Sequence, residues 1–259
     1  MIRHRLSACG MALGAALAMA CFGSAAAQDK IIGLSTLDWP PYTGSQLPGG
    51  GATTEVVRAA FAEAGYEINV VYRPWKRAIA VAAKEADGII AYFPGYHCNH
   101  AEGFIASQPI GNGPLGFAEH TDAPISWRGL ADIVDKKLEI GTVLGYANTD
   151  AFDAEVSAGR IRVNTANDDV TNLKKLLRKR IDAVVIDKLV LEYLKATEMS
   201  LKAGADKLRF DEKPLENKTL FLCFRGGAEG RSLMAAFDAG LARIDASTII
   251  ENYFATAFE

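Results

Sequence analysis

Residues 53–93, TTEVVRAAFAEAGYEINVVYRPWKRAIAVAAKEADGIIAYF, decide the fold of this chain. They begin with apolar side chains at helical spacing, and Thr53 or Thr54 is placed to cap that helix. The strand pattern EINVVYRP follows, and then come the helical pattern WKRAIAVAAKEA and the buried-strand pattern DGIIAYF. With the strand pattern KIIGLSTL upstream, the order is β-α-β-α-β, which predicts a mostly parallel sheet with helices on both faces.

A second alternating set fills residues 137–197. Its strand patterns are KLEIGTVL, IRVNTA and IDAVVID, and its helical patterns are NTDAFDAEVSAG, DDVTNLKKLLRKR and KLVLEYLKAT. Asn167 or Asp168 is placed to cap the second of these helices. Two extended stretches and two C-terminal helices complete the chain. The sequence therefore predicts two α/β lobes, with a crossing between them near GNGPLG, residues 111–116.

The first 27 residues have the features of a secretory signal peptide. Arg3 and Arg5 precede an apolar run, and the small residues Ala25 and Ala27 mark a cleavage site. The run is shorter than the roughly 20 apolar residues that a transmembrane helix needs. The alternatives are an uncleaved membrane anchor and a lipoprotein attached through Cys21. We expect cleavage after Ala27 and a periplasmic location.

Removal of residues 1–27 leaves 232 of the 259 residues, enough for one large domain or two of ordinary size. The formal net charge then changes from −3 to −5, because Arg3 and Arg5 are lost. A mildly acidic exported protein gives no reason to expect binding to nucleic acid or to an anionic membrane. Cys98 and Cys223 are the cysteines that remain, in a compartment that favours disulfides, so we expect one bond between them.

Six motifs in order carry a family resemblance: LDWPPYTG, RPWKRA, EADGII, FIASQPI, GTVLGYANTDAF and IDAVVID. In this order the chain resembles the extracellular solute-binding proteins of family 3, the polar amino-acid type that feeds ABC importers. The resemblance covers nearly all of the chain after the signal. It implies a two-lobed periplasmic binding protein fold, with lobe 1 at residues 28–113 plus 208–259 and lobe 2 at residues 114–207. It also implies two hinge crossings and a small-molecule ligand in the cleft between the lobes.

The resemblance also implies how such a protein works. We expect a monomer that binds its ligand without a cofactor and passes it to the membrane subunits of an ABC importer. The chain has no G-x-S-x-G, HExxH or nucleotide-binding loop, so we expect no catalytic residue. A periplasmic enzyme of the same fold, dehydratase-like, is the alternative function, since a fold alone does not exclude it.

Aromatic residues are the first candidates for ligand contact. Trp39 and Tyr42 flank Pro40 and Pro41, which stiffen the turn and hold the rings in place. Trp75 follows a proline at a helix start, and an aromatic at a similar place in the family lines the pocket. The alternative for these rings is core packing. We expect an apolar wall on the first lobe, with Tyr92 nearby.

Polar contacts are expected from the second lobe. In the turn GYANT, Gly145 permits close backbone approach, and Tyr146, Asn148 and Thr149 can reach inward. An ordinary strand-to-helix turn is the alternative. Asp187 resembles the family carboxylate that pairs with the α-ammonium group of a ligand.

The loop HCNH lacks a residue that the family uses. Amino-acid binders have an arginine here that holds the ligand carboxylate in a bidentate contact. The corresponding position in this chain is Asn99 or His100, and no arginine lies between Arg77 and Arg128. We therefore expect poor binding of ordinary α-amino acids, with His100 as a weaker donor to an anion. The expected ligand is a small polar or aromatic-stacking metabolite, and Asp187 would hold a cationic one.

The same loop allows two other interpretations. His97, Cys98, His100 and His120 are residue types that bind zinc or copper, although their spacing is not that of a closed zinc site. A Cys98 nucleophile with His97 or His100 as its base is the catalytic interpretation, but adjacent residues usually point apart. We expect neither a metal site nor a catalytic pair.

Overall fold

The computed structural model describes residues 1–2, 30–99 and 102–257. The predicted signal peptide, apart from its first two residues, and the predicted ligand contact His100 therefore lie outside the described residues. None of the helices in the described ranges is both long and apolar enough to cross a bilayer.

The first lobe has a sheet with the strand order β2-β1-β3-β10. The pairs β1–β2 and β1–β3 are parallel, whereas β10 runs antiparallel to β3 and to the short β4. The strands are β1 (Lys30–Thr36), β2 (Tyr66–Tyr72), β3 (Ile89–Gly95), β4 (Phe104–Ala106) and β10 (Glu216–Arg225). The helices around it are α1 (Ala52–Glu63), α2 (Trp75–Ala83), α7 (Ala228–Leu241) and α8 (Ala246–Ala257).

The second lobe continues the sheet in the order β5-β8-β6-β7. The pairs β6–β7 and β6–β8 are parallel, and β5 runs antiparallel to β8 and to β9. The strands are β5 (Gly111–His120), β6 (Glu139–Val143), β7 (Arg162–Ala166), β8 (Ala183–Asp187) and β9 (Leu208–Phe210). The helices are α3 (Leu130–Asp135), α4 (Asp150–Ser157), α5 (Asp169–Leu177) and α6 (Lys188–Thr197). Apolar residues pack on both faces of this sheet.

Two long strands connect the lobes. Residues 111–115 of β5 pair with residues 216–220 of β10, so the two crossings lie side by side. Beyond that pairing, β5 continues beside β8, and β10 continues beside β3. Because β9 pairs with the far end of β5, it lies beside the second sheet, which favours a lobe boundary later than the predicted residue 208. We propose residues 114–216 as the second lobe and residues 28–113 plus 217–259 as the first.

The start of α1 differs from the sequence prediction. Thr53 and Thr54 lie inside the helix, and its N-cap is Gly51, at a φ of 104°. The Thr53 hydroxyl instead donates to the carbonyl of Tyr42 at 2.8 Å. A Cβ on Gly51 would lie 2.5 Å from that same carbonyl oxygen. Close packing of this turn on the loop at Tyr42 explains why a glycine, and not a threonine, precedes the helix.

Candidate functional site

A small cavity lies between the two lobes, with about 310 Å³ of space between atoms, part of which is open solvent. Its wall is almost entirely apolar or aromatic. The lining residues are Leu37, Trp39, Trp75, Pro94 and Tyr96 from the first lobe, with Tyr146 and Ala147 from the second. The structure therefore brings together three predicted site residues that are far apart in sequence, Trp39, Trp75 and Tyr146.

The turn after β1 fixes the first of these rings. The backbone of Trp39 donates to the carbonyl of Thr43 at 2.8 Å, and the Thr43 hydroxyl donates to the Leu37 carbonyl at 2.8 Å. Trp39 stacks on Tyr42 with 4.6 Å between ring centres, and it meets Tyr96 edge-on at 6.0 Å. The predicted stiff turn thus presents the Trp39 ring to the cavity, while Tyr42 is fully buried beneath it.

Trp75 is held at the start of α2. It follows Pro74, which is the N-cap of the helix, and only 7% of its surface is exposed. Tyr92 packs edge-on against Trp75 at 5.4 Å and against Phe104 at 4.9 Å. Tyr92 itself is fully buried, and burial raises the pKa of its phenol. Tyr92 therefore supports the cavity wall from behind Trp75.

The second lobe approaches the first at the turn after β6. Gly145 has a φ of +85°, and a Cβ on it would lie 2.6 Å from Cγ of Lys76 in α2. The turn is closed by a backbone hydrogen bond from Tyr146 to Val143 at 3.1 Å. The left-handed backbone favours glycine, and the turn places Tyr146 in the cavity wall. The predicted close approach of Gly145 to a ligand stays a prediction.

Asn148 and Thr149 use their polar groups within this turn. The backbone and side-chain amides of Asn148 donate to Asp153 at 2.8 and 2.7 Å. The Thr149 hydroxyl oxygen caps α4 by accepting from the Phe152 amide at 3.1 Å. Both residues thus fix the orientation of the turn, and their direct contact with a ligand stays a prediction.

Asp187 ends β8 and is 2% exposed. Its carboxylate accepts from the amides of Leu189 and Val190, at 2.8 and 3.2 Å, and so caps α6. It also accepts from the Tyr42 hydroxyl of the first lobe, at 3.2 Å. Burial raises the pKa of this carboxyl to about 7, although all three hydrogen bonds lower it. Asp187 therefore links the lobes, and its predicted role opposite a ligand cation stays a prediction.

Asp169 is a buried acid that the sequence analysis did not single out. It is the first residue of α5, next to the capping Asp168, and it is 7% exposed. Burial raises its pKa to about 7, and the charges of Asp168 and Asp187 add to the effect. Burial also raises the pKa of Tyr146 and of Tyr96 well above the usual range, and the Asp169 charge contributes to both. The charge of Asp169 thus acts electrostatically on two phenols of the cavity wall.

Charged side chains surround the mouth of the cavity. A wider opening lies beside Leu37, Trp75 and Tyr146. Both signs of charge are present among its lining residues, which include Asp38, Arg73, Lys76 and Asp168. The charge at the mouth is therefore mixed, in contrast to the aromatic interior.

The disulfide predicted between Cys98 and Cys223 is confirmed, with 5.3 Å between the Cα atoms. It joins the loop after β3 to strand β10. Cys98 therefore has no thiolate to act as a nucleophile or a metal ligand. Burial lowers the pKa of the neighbouring His97, and Nδ1 of the more distant His120 accepts from the Asp122 amide at 3.1 Å. Within the described ranges, no three His, Cys, Asp or Glu side chains are grouped to hold a metal ion.

Comparison with known proteins gives matches in structure. No protein-family model matches the sequence, and no curated protein matches it. The GluR0 ligand-binding core from Nostoc punctiforme, in complex with L-glutamate, is 18% identical, with a TM-score of 0.67 over 88% of this chain and 99% of that chain. The amino acid ABC transporter substrate-binding protein AbpA from Streptococcus pneumoniae, bound to L-arginine, is 13% identical, with a TM-score of 0.67 over 88% and 96%.

A third similar structure is an ancestral amino acid-binding protein, a precursor of cyclohexadienyl dehydratase. It is 14% identical, with a TM-score of 0.66 over 88% of this chain and 95% of that chain. These likenesses extend over nearly the whole length of each neighbour. The chain has the periplasmic binding protein fold. The predicted fold class is confirmed, and in this periplasmic binding protein fold the aromatic cavity lies where the two lobes face each other.

Proposed function

We propose that this protein is a periplasmic solute-binding protein that captures a small molecule between its lobes and passes it to the membrane subunits of an ABC importer. The observation that supports this most directly is the cavity whose wall comes from both lobes, with Trp39 and Trp75 on one side and Tyr146 on the other. A ligand in this cavity contacts both lobes at once, so its binding favours the closed arrangement over the open one.

The residues around the cavity also bear on the kind of ligand. Residues 78–127 contain no arginine, so the HCNH loop has no guanidinium for an α-carboxylate. The interior is aromatic, which suits a ligand that stacks on rings. We therefore propose that ordinary α-amino acids bind poorly and that the natural ligand is a different small metabolite.

We propose binding and not catalysis as the activity of the site. Cys98 is in a disulfide, and the polar groups of Asn148, Thr149 and Asp187 have structural hydrogen-bond partners. The neighbour that is a precursor of cyclohexadienyl dehydratase is itself an amino acid-binding protein. A dehydratase-like activity is the competing function, and turnover of the bound ligand would reveal it.

The test is to identify the small molecule that purifies with the protein from a periplasmic extract. Mass spectrometry of the denatured sample should find one dominant solute. Adding it back at about 100 times its Kd should stabilise the folded protein by roughly 2.7 kcal/mol. It should also reduce the radius of gyration in small-angle scattering. If NMR shows that the purified protein converts the solute to a product, the enzyme function is favoured instead. A protein that closes on no solute would contradict both functions.

A further inference from the structure

The interior of the cavity has aromatic rings in its wall and no charge. Trp39, Trp75, Tyr96 and Tyr146 supply the rings, and among the described residues no charged side chain lines this interior. A charged group that leaves water without a partner is strongly disfavoured. The part of a ligand that enters the interior is therefore uncharged, and a flat ring would stack on the wall.

A ligand ammonium group finds no acid in this wall. Asp187, which the resemblance assigns to a ligand cation, already accepts from the Tyr42 hydroxyl and from two backbone amides of α6. A positive charge also lies beside the wall, since Nζ of the buried Lys218 is 5.3 Å from the ring centre of Tyr96. Lys218 pairs with Glu216 at 3.2 Å. These contacts disfavour a cationic ligand.

The interior opens directly onto the mouth. Leu37, Trp75 and Tyr146 line both spaces. Arg73 and Lys76 also line the mouth, and they lie two residues before and one residue after Trp75. A ligand whose ring lies against Trp75 therefore directs a substituent toward these two basic side chains.

The two acids of the mouth already hold backbone amides. The carboxylate of Asp38 accepts from the Ser45 amide at 2.6 Å, and that of Asp168 accepts from the Thr171 amide at 2.7 Å. Asp168 is also the N-cap of α5, where the partial positive charge of the helix end offsets part of its own charge.

The two basic side chains of the mouth have no acidic partner. In the part of the chain that the structure describes, neither Arg73 nor Lys76 forms an ion pair. Arg73 donates one N–H to the adjacent Tyr72 carbonyl at 2.8 Å, which leaves its other donors for a ligand. The mouth therefore offers two cationic groups to an anion.

We propose that the cavity binds an aromatic anion, such as an arylalkyl carboxylate, with its ring among the four aromatic side chains and its carboxylate at the mouth beside Arg73 and Lys76. This inference rests on the proposed solute-binding function and specifies its ligand class. Guanidinium and ammonium groups both form charge-assisted hydrogen bonds with a carboxylate. Because both side chains are exposed, we expect each to contribute modestly.

Matched probes separate the ring from the charge. Phenylacetate and phenylacetamide differ in charge, as do indoleacetate and indoleacetamide, whereas cyclohexylacetate keeps the charge and loses the aromatic ring. Phenethylamine has the opposite charge. By calorimetry we expect at least one acid to bind about fivefold or more tighter than its amide. Phenylacetate should bind about threefold or more tighter than cyclohexylacetate, and phenethylamine should bind most weakly.

Variants at the mouth test the position of the carboxylate. Lys76→Met and Arg73→Met should each weaken the acid about threefold to fivefold and leave the amide unchanged. The unchanged amide affinity shows that the cavity itself is intact. Arg77→Met is the matched control, because Arg77 is exposed on the same helix but does not line the mouth. It should change the acid affinity by less than about twofold.

Three results would overturn the inference: amides that bind as tightly as their acids, a saturated ring that binds as tightly as the aromatic one, or an Arg77 variant that weakens the acid as much as the other two. If another solute then closes the lobes, the solute-binding function stands and only the ligand class is wrong. If neither the probes nor the co-purified solute closes the lobes, the proposed function fails as well.

Discussion

The hydroxyl of Tyr42, from the first lobe, donates to the carboxylate of Asp187, from the second, at 3.2 Å. The contact is buried and lies beside the crossing strand β5. A Cβ on Gly113 of that strand would lie 2.2 Å from the Tyr42 hydroxyl oxygen and 2.3 Å from Oδ2 of Asp187. The two lobes are thus joined by a buried polar contact beside the crossing strand β5.

Tyr42→Phe should loosen this contact between the lobes. It leaves an oxygen of a buried carboxyl group without its donor, which costs about 1–3 kcal/mol. We expect a lower unfolding free energy in urea and a larger radius of gyration. Tyr72→Phe is the control, because the Tyr72 hydroxyl donates to the Gly50 carbonyl at 3.3 Å within the first lobe. If both variants have the same radius of gyration as the wild type, Tyr42 does not hold the lobes together.

Gly113→Ala should disturb the same contact by crowding. The new methyl group overlaps the Tyr42 hydroxyl and the Asp187 carboxylate, so one of them must move. We expect a loss of about 1–3 kcal/mol of unfolding free energy, as for other overpacked interiors. Gly129→Ala is the comparison, since nothing lies within 4 Å of its added Cβ. Equal denaturation midpoints for the two variants would show that β5 has room for a side chain at residue 113.

Asp187→Asn should change how stability depends on pH. Burial raises the pKa of Asp187 from 3.8 to about 7, so the folded protein keeps a proton that the unfolded chain has lost. This contribution to stability is complete below about pH 4 and is lost as the pH rises through about 7. At about 1.4 kcal/mol per pH unit it amounts to roughly 4 kcal/mol.

Asp169 has a similarly raised pKa, so Asp187→Asn alone should remove about half of the fall in stability between about pH 4 and pH 8. The double variant with Asp169→Asn should remove most of it. Urea unfolding at a series of pH values measures the slope, with Asp182→Asn as the exposed control. If the unfolding free energy changes with pH in the same way in the wild type and in both buried-site variants, neither carboxyl group titrates in this range.

The disulfide should be complete and stabilising. Thiol labelling under denaturing, non-reducing conditions should find no free cysteine in the mature chain. Because the bond closes a loop across 125 positions, replacing Cys98 and Cys223 by alanine should cost about 2–5 kcal/mol of unfolding free energy. Two labelled thiols in the untreated protein would rule out the bond and return Cys98 to consideration as a metal ligand.

Export should leave a mature N-terminus at Gln28 without a lipid. The prediction follows from the basic start, the apolar run and the small residues at Ala25 and Ala27. N-terminal sequencing and intact mass of protein from a periplasmic extract measure it directly. Retention of Met1, or a lipid on Cys21, would contradict it.

The sequence predicts the parts of this molecule that depend on local pattern. Alternating helix and strand periodicity identifies both α/β sets, and turn chemistry together with the family resemblance points to Trp39, Trp75 and Tyr146. Asp168 caps α5 as expected, by accepting from the Thr171 amide at 2.7 Å. Each of these features depends on residues that are close together in the sequence, so a single stretch of sequence is enough to predict it.

Other features depend on contacts between distant segments. The start of α1 at Gly51 follows from packing against Tyr42, and the second crossing at β10 follows from the pairing of β9 with β5. Asp169 looks like any acid in the first turn of a helix, and only its burial distinguishes it. Tyr96 lines the cavity and lies directly before the HCNH loop, where His97, Cys98 and His100 are the more conspicuous residue types. An aromatic between two apolar strands was the signal that could have found it.

The crossing strands also set the order in which the chain becomes able to fold as it emerges into the compartment where it is expected to fold. The second lobe is continuous in sequence, whereas the first needs β10, which follows the whole of the second lobe. Until β10 emerges, β3 has an unpaired edge, and such late, long-range pairing is slow and leaves apolar surface exposed. Cys98 waits for Cys223 over the same interval. No other cysteine follows residue 27, so the waiting thiol has no incorrect partner within its own mature chain.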